Sequence, residues 1–144
     1  MSDKANCIDI SFTKDLTSER KSLKLVEPML KEIKQKFCIN DELYYNLVIT
    51  ITEAVNNAII HGNKFDIDKI VRIIVKCKNK LLTVSVKDQG SGFDLESLEN
   101  PLSPENLLKE SGRGIFIIRK IADNVVFNFL DEGTELILYF NLKN

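Results

Sequence analysis

Two β-rich runs, Ile70–Lys78 and Leu81–Lys87, are separated only by Asn79-Lys80. Strand-forming runs joined by two turn-prone residues read as a hairpin, which commits this part of the chain to an antiparallel sheet. Such a sheet has to bury an apolar face, and the flanking sequence supplies the covering. Cys7 to Thr13 sets Ile8, Ile10 and Phe12 against Asp9, Ser11 and Thr13, the period of a first strand. Leu16 to Phe37 carries Leu23, Val26, Leu30, Ile33 and Phe37 three or four residues apart, predicting an amphipathic helix that Pro28 kinks or starts late. Asn40-Asp41 caps a second helix running to about Ile60, and Gly62 is expected to end it.

Beyond the hairpin the chain changes character. Gln89 to Gly112 is turn-rich and holds two of the three prolines, which predicts a lid or binding loop over about residues 93–113. A short helix, Ile115 to Ala122, and two strands, Val125–Leu130 and Glu135–Leu142, follow. The order β-α-α-β-β-lid-α-β-β predicts an α+β fold: a two-layer sandwich with a mixed, mainly antiparallel sheet and helices on one face.

At 144 residues the chain has the length of one domain, expected to span 1–144. Its 20 basic and 21 acidic residues leave a net charge of -1, so no global field draws it to nucleic acid or to an anionic membrane. Cys7, Cys38 and Cys77 share no metal-ligand spacing and are odd in number, which favours reduced, half-buried thiols. No apolar stretch approaches the roughly 20 residues that cross a bilayer, and Asp3, Lys4, Asp9 and Lys14 interrupt any signal-like start. The expected location is the cytoplasm.

Chemistry concentrates in three segments. On the second helix Leu43, Leu47, Ile51, Val55 and Ala58 fall on one side, with Asn46, Glu53 and Asn57 on the other. Glu53 and Asn57 are four apart and project together. A carboxylate beside a γ-phosphate accepts a proton from an attacking hydroxyl, and an amide oxygen suits magnesium, which takes its remaining ligands from phosphate and water. His61, at the helix end, reads as a capping or satisfied structural histidine. Asp88 follows a strand and precedes Gly90 and Gly92. An ionised carboxylate only accepts hydrogen bonds, so it pairs with the 6-amino group of adenine and disfavours the 6-oxo group of guanine. Gly112-Arg113-Gly114 leads into an apolar helix, where a glycine turn exposes N–H groups to phosphate and Arg113 adds positive charge. Neither a Walker-A string nor a Gly-x-Gly-x-x-Gly turn after a first strand is present.

Taken together, Glu53-Ala-Val-Asn-Asn-Ala-Ile-Ile-His-Gly-Asn63, Asp88-Gln-Gly-Ser-Gly-Phe-Asp94 and Gly112-Arg-Gly-Ile-Phe-Ile-Ile-Arg-Lys-Ile-Ala-Asp123 resemble the N, G1 and G2 boxes of the GHKL ATPases with the Bergerat fold. Within that superfamily the chain is most similar to bacterial anti-sigma-factor serine-protein kinases. The resemblance implies ATP and Mg2+ as cofactors, Glu53 as catalytic base, Asn57 as magnesium ligand and Asp88 as adenine contact. It also implies that Gly90, Gly92, Gly112 and Gly114 shape the pocket and lid, and that Thr134 supports the aspartate. The implied partners are a sigma factor and an anti-anti-sigma protein phosphorylated on serine or threonine, with the kinase acting as a homodimer.

Other readings are open to test. A binding module of the same fold would hold nucleotide without transferring phosphate, but it has no need of a carboxylate near the γ-phosphate. A histidine kinase requires a phosphoaccepting histidine on a preceding helical hairpin, whereas His61 lies inside the candidate nucleotide helix. A gyrase- or MutL-like motor would need a transducer domain.

Overall fold

The computed structural model describes residues 10–90 and 110–142, and only the backbone of 110–113. Five strands form one sheet: β1 (Ile10–Thr17), β2 (Ile70–Lys78), β3 (Leu81–Lys87), β4 (Asn124–Leu130) and β5 (Gly133–Asn141). Their spatial order is β1-β2-β3-β5-β4, and every pairing is antiparallel. The β2–β3 hairpin has the bounds expected from its sequence, and Asn79 and Lys80 turn it with φ of 52° and 63°. Two successive left-handed residues match the twist of the flanking strands.

Among the described residues three α-helices, α1 (Val26–Lys36), α2 (Asp41–Asn57) and α3 (Glu110–Ile121), complete the sandwich. Alternation along the strands sends Val71, Ile73, Val75, Leu82, Val84, Val86, Leu136, Leu138 and Phe140 to one buried face, while Arg72 and Lys76 are exposed. That face joins Leu30 and Ile33 of α1, Leu47, Ile51 and Val55 of α2, and Ile115 and Ile118 of α3 in a single core. Full burial of each such side chain stabilises the fold by about 1.5–3 kcal/mol. The α+β sandwich predicted from element order is therefore the observed one.

Several boundaries differ for reasons outside the local sequence. β1 runs on to Thr17, because Asp15, Leu16 and Thr17 continue the ladder opposite Arg72, Val71 and Ile70. Leu16 is thus a buried strand residue and not a helix start. A 3-10 turn at Arg20–Leu25 precedes α1, and Pro28 is the third residue of α1, where a missing N–H costs no intrahelical bond. Asn40 caps α2 as expected, its Oδ1 accepting from Leu43 N at 2.8 Å.

The end of α2 is less regular. The chain passes Asn57 into a π turn, Ala58–Gly62, and the left-handed residues are Lys64 and Phe65, with φ of 51° and 60°. The helical path ends at Gly62 as expected, but the left-handed backbone that follows it falls at Lys64 and Phe65 and not at the glycine. Cys38 is exposed instead of half-buried, and Cys77 is partly buried, which pushes its thiol up from the ordinary value. Cys7 lies outside the described residues.

The antiparallel pairings bring one set of strand ends together. Thr17 at the end of β1 faces Ile70 at the start of β2, and Lys87 at the end of β3 faces Glu135 near the start of β5. The candidate residues gather at this end of the sheet.

Candidate functional site

Glu53 and Asn57 are one turn apart on α2 and both half-buried, on the side opposite Leu47, Ile51 and Val55. α3 packs across them at Gly114. A Cβ built on Gly114 would lie 2.7 Å from Glu53 Oε2 and 3.2 Å from Asn57 Nδ2. Glycine here lets the backbone of α3 approach the two polar side chains directly. Among the described residues Asn57 Nδ2 is buried without a hydrogen-bond partner. A buried, unsatisfied amide is costly and calls for a partner such as water, an ion or a ligand. Turning the amide by 180° offers its oxygen in the same direction.

Asp88 follows β3 directly and is 6% exposed. Its Oδ1 accepts from Gly90 N at 3.0 Å and Thr134 N at 3.1 Å, while its own N–H donates to Thr134 O at 3.0 Å. Burial pushes the carboxyl up from the usual carboxylate range; the two N–H donors and the charge of Lys69 oppose that rise. Gly133, with φ of 128°, starts β5 against the Asp88 carbonyl, where a Cβ would overlap. Thr134 Oγ1 is buried and has no hydrogen-bond partner among the described residues.

Gly62 connects the two groups. A Cβ at this position would overlap the Asp88 carboxylate, so the segment that carries Glu53 and Asn57 ends in contact with the residue that follows β3. Gly90 in turn lies against the Gly62 carbonyl. Glu53, Asn57, Asp88, Gly90, Gly114 and Thr134 thus belong to one contiguous neighbourhood. His61 Nε2 is buried and has no hydrogen-bond partner among the described residues, which differs from the satisfied histidine expected there.

The predicted turn at Gly112-Arg113-Gly114 differs from what is observed, because both glycines lie within α3. Glycine costs about 1 kcal/mol in a helix interior relative to alanine, and the close approach to Glu53 and Asn57 accounts for its presence at 114. Of the expected lid, 110–113 is helical, while 93–109 lies outside the described residues, as do Gly92 and the side chain of Arg113.

A buried polar network beneath Asp88 was missed in the sequence. Asn63, 2% exposed, donates through Nδ2 to Ser18 Oγ at 2.8 Å and Ile70 O at 3.0 Å, and accepts from Gln89 N at 2.7 Å. Gln89 Oε1 accepts from Ile70 N at 2.7 Å, and Ser18 Oγ donates to Lys69 O at 2.6 Å. The only local signal was a polar residue directly after Gly62.

Chemically, the neighbourhood offers a proton-accepting carboxylate, an unpartnered amide and a second carboxylate restricted to hydrogen-bond donors. Among the described residues no three His, Cys, Asp or Glu side chains cluster as a metal site. A divalent ion beside Asn57 would take most of its ligands from phosphate and water, which is the habit of magnesium. In that respect the residues fit MgATP.

Residues 16–140 match the model of the histidine kinase-like ATPase domain. An anti-sigma F factor from Clostridium perfringens is 36% identical over 93 residues, covering 61% of this chain. The chain spans only 65% of that relative's length. A serine-protein kinase RsbW from Listeria innocua is 26% identical over 140 residues, covering 92% of this chain and 88% of its own. Among solved structures, the RsbU and RsbW domains of a Mycobacterium tuberculosis protein superpose with a TM-score of 0.69 at 16% identity, covering 92% of this chain and 32% of that one. A histidine kinase domain from Erythrobacter litoralis gives 0.58 at 16% identity, covering 85% and 60%. Both structures share the fold.

Proposed function

The chain belongs to the histidine kinase-like ATPase domain family, and from that premise we propose that it is an ATP-dependent serine/threonine protein kinase of the anti-sigma type. In this reading it binds a sigma factor and phosphorylates an anti-anti-sigma protein. The observation that carries the reading is the contact of Gly114 with Glu53 and Asn57, joined through Gly62 to the buried carboxylate of Asp88. Names of relatives support the partners: one is an anti-sigma F factor and another a serine-protein kinase.

Asp88 accepts a hydrogen bond from the adenine 6-amino group, and the N–H groups of Gly90 and Thr134 keep its carboxylate aimed. Asn57 holds magnesium, which when bound neutralises charge on the phosphates. Glu53 orients the hydroxyl of the protein substrate and accepts its proton as the phosphoryl group transfers. Gly114 leaves space for that carboxylate to reach the reacting oxygen. No helix of the described residues is long and apolar enough to cross a membrane.

The test is incubation with γ-labelled ATP, magnesium and a candidate anti-anti-sigma protein. Label should appear on a serine or threonine of the substrate. ATP binding of ordinary strength without transfer to any such protein would leave a nucleotide-dependent partner-switching module in place of a kinase.

A further inference from the structure

Asn63 has a side-chain amide whose donors and acceptor are all engaged, and each bond reaches a different part of the chain. Its two N–H directions go to Ser18, just past β1, and to Ile70, at the start of β2. Its oxygen takes the N–H of Gln89, between Asp88 and Gly90. No other short side chain has this complement: aspartate lacks the donors, serine lacks the reach, and leucine has neither. The adjacent residue, Gly62, is the one that abuts the Asp88 carboxylate. Two consecutive residues therefore define the turn, one by contact with its carboxylate and the other by a bond to its backbone.

We infer that Asn63 is a positioning residue for base recognition: by clamping the Asp88-Gln89-Gly90 turn to the ends of β1 and β2, it sets the direction of the Asp88 carboxylate and hence the preference for adenine. The inference rests on the nucleotide reading of the site given above. Asp88 Oδ1 is itself held by the N–H of Gly90, within the same turn. Releasing Gln89 from Asn63 loosens the Gly90 N–H that fixes Oδ1 and leaves the carboxylate held by Thr134 N–H alone, so that its direction is no longer set from both sides. Gln89 Oε1, bonded to Ile70 N, closes the clamp from the other side. A buried amide with every group satisfied holds one geometry, because each alternative leaves a polar atom unpaired.

The experiment compares Asn63→Ala with Ser18→Ala in the full chain. ATP and GTP dissociation constants are measured by titration calorimetry with magnesium, and amide exchange at Gln89 is followed by NMR in the ligand-free protein. Asn63→Ala is expected to weaken ATP about tenfold, to reduce the ATP-over-GTP preference by a similar factor, and to speed Gln89 exchange by about tenfold or more. Ser18→Ala leaves the Gln89 bond in place; it should lower Tm while preserving both exchange and preference. Loss of Tm in Asn63→Ala with the preference intact would assign Asn63 to stability alone and overturn the inference. Should Asn63→Ala fail to fold, Asn63→Ser, whose hydroxyl is too short to reach Gln89 N–H, is read in the same way. Exchange and preference must then move together, and a change in one alone overturns the clamp. If the unmodified protein binds neither nucleotide, the functional reading fails and takes the base-recognition role with it. An unchanged preference in a variant of an ATP-binding protein removes only the role of Asn63.

Discussion

Gly62 lies against the carboxylate of Asp88 so closely that a Cβ at position 62 would overlap both Oδ2 and Cγ. Asp88 cannot simply swing away, because its Oδ1 is bonded to the N–H groups of Gly90 and Thr134. Gly62→Ala should therefore break those bonds and weaken ATP about tenfold or more, the equivalent of one charge-assisted hydrogen bond. Calorimetric titration with MgATP checks this. Affinity equal to the unmodified protein would mean that Asp88 does not touch the base.

Glu53 should act on transfer and not on affinity. Its half-buried carboxylate faces the backbone of α3 at Gly114, with its Oε2 2.7 Å from the position a Cβ would take. Glu53→Gln preserves size and removes the proposed base, so phosphoryl transfer should fall by about two to four orders of magnitude. ATP affinity should change by no more than about threefold, since the lost interaction belongs to the transition state. Single-turnover transfer and equilibrium binding, measured on the same preparation, separate the two effects.

Asp88 gives the protein a pH dependence whose sign follows from its raised carboxyl. In the folded chain the group takes up a proton at higher pH than in the unfolded chain. Its contribution to stability is therefore fully present below the ordinary carboxylate range and is lost as pH rises through the raised value. In the proposed role of Asp88 adenine binding runs the other way, since the 6-amino group requires the ionised acceptor. ATP affinity should fall as pH drops through the raised value, with proton release on binding in that window. Calorimetry in buffers of different ionisation enthalpy detects the released proton. Asp88→Asn should abolish both the release and this part of the pH dependence.

Asn40 offers a control remote from the chemistry. Its Oδ1 satisfies Leu43 N at the start of α2, a bond that alanine cannot replace. Asn40→Ala should cost about 1 kcal/mol of unfolding free energy. Chemical denaturation measures that loss, and ATP affinity at a temperature where the variant is folded should be unaltered. A change in affinity would show that the position of α2 depends on its cap.

How far the sequence was legible depends on the range of the interaction involved. The β2–β3 hairpin kept its expected bounds because β-branched runs and a two-residue turn act over neighbouring positions. The apolar side of α2, with Leu47, Ile51, Val55 and Ala58 buried and Glu53 and Asn57 opposite, was readable for the same reason: helical period is a local property. Leu16 has helical spacing in the sequence yet lies in β1, because its role depends on Val71, which follows it by more than fifty residues and is its partner across the sheet. Gly112 and Gly114 were misread as a turn because glycine breaks helices on its own. What admits Gly114 to α3 is the approach of Glu53 and Asn57 from another helix.

The residue order alone thus established the elements, the apolar layers and the kinds of chemical group available, since these depend on neighbours within a few positions. Which groups meet was decided in three dimensions. The register of an antiparallel sheet brought the ends of β1, β2, β3 and β5 together, and close packing then selected glycine at 62 and 114 and an amide at 63. Steric exclusion and hydrogen-bond satisfaction are conditions on pairs of surfaces, and a linear string does not state which surfaces will touch.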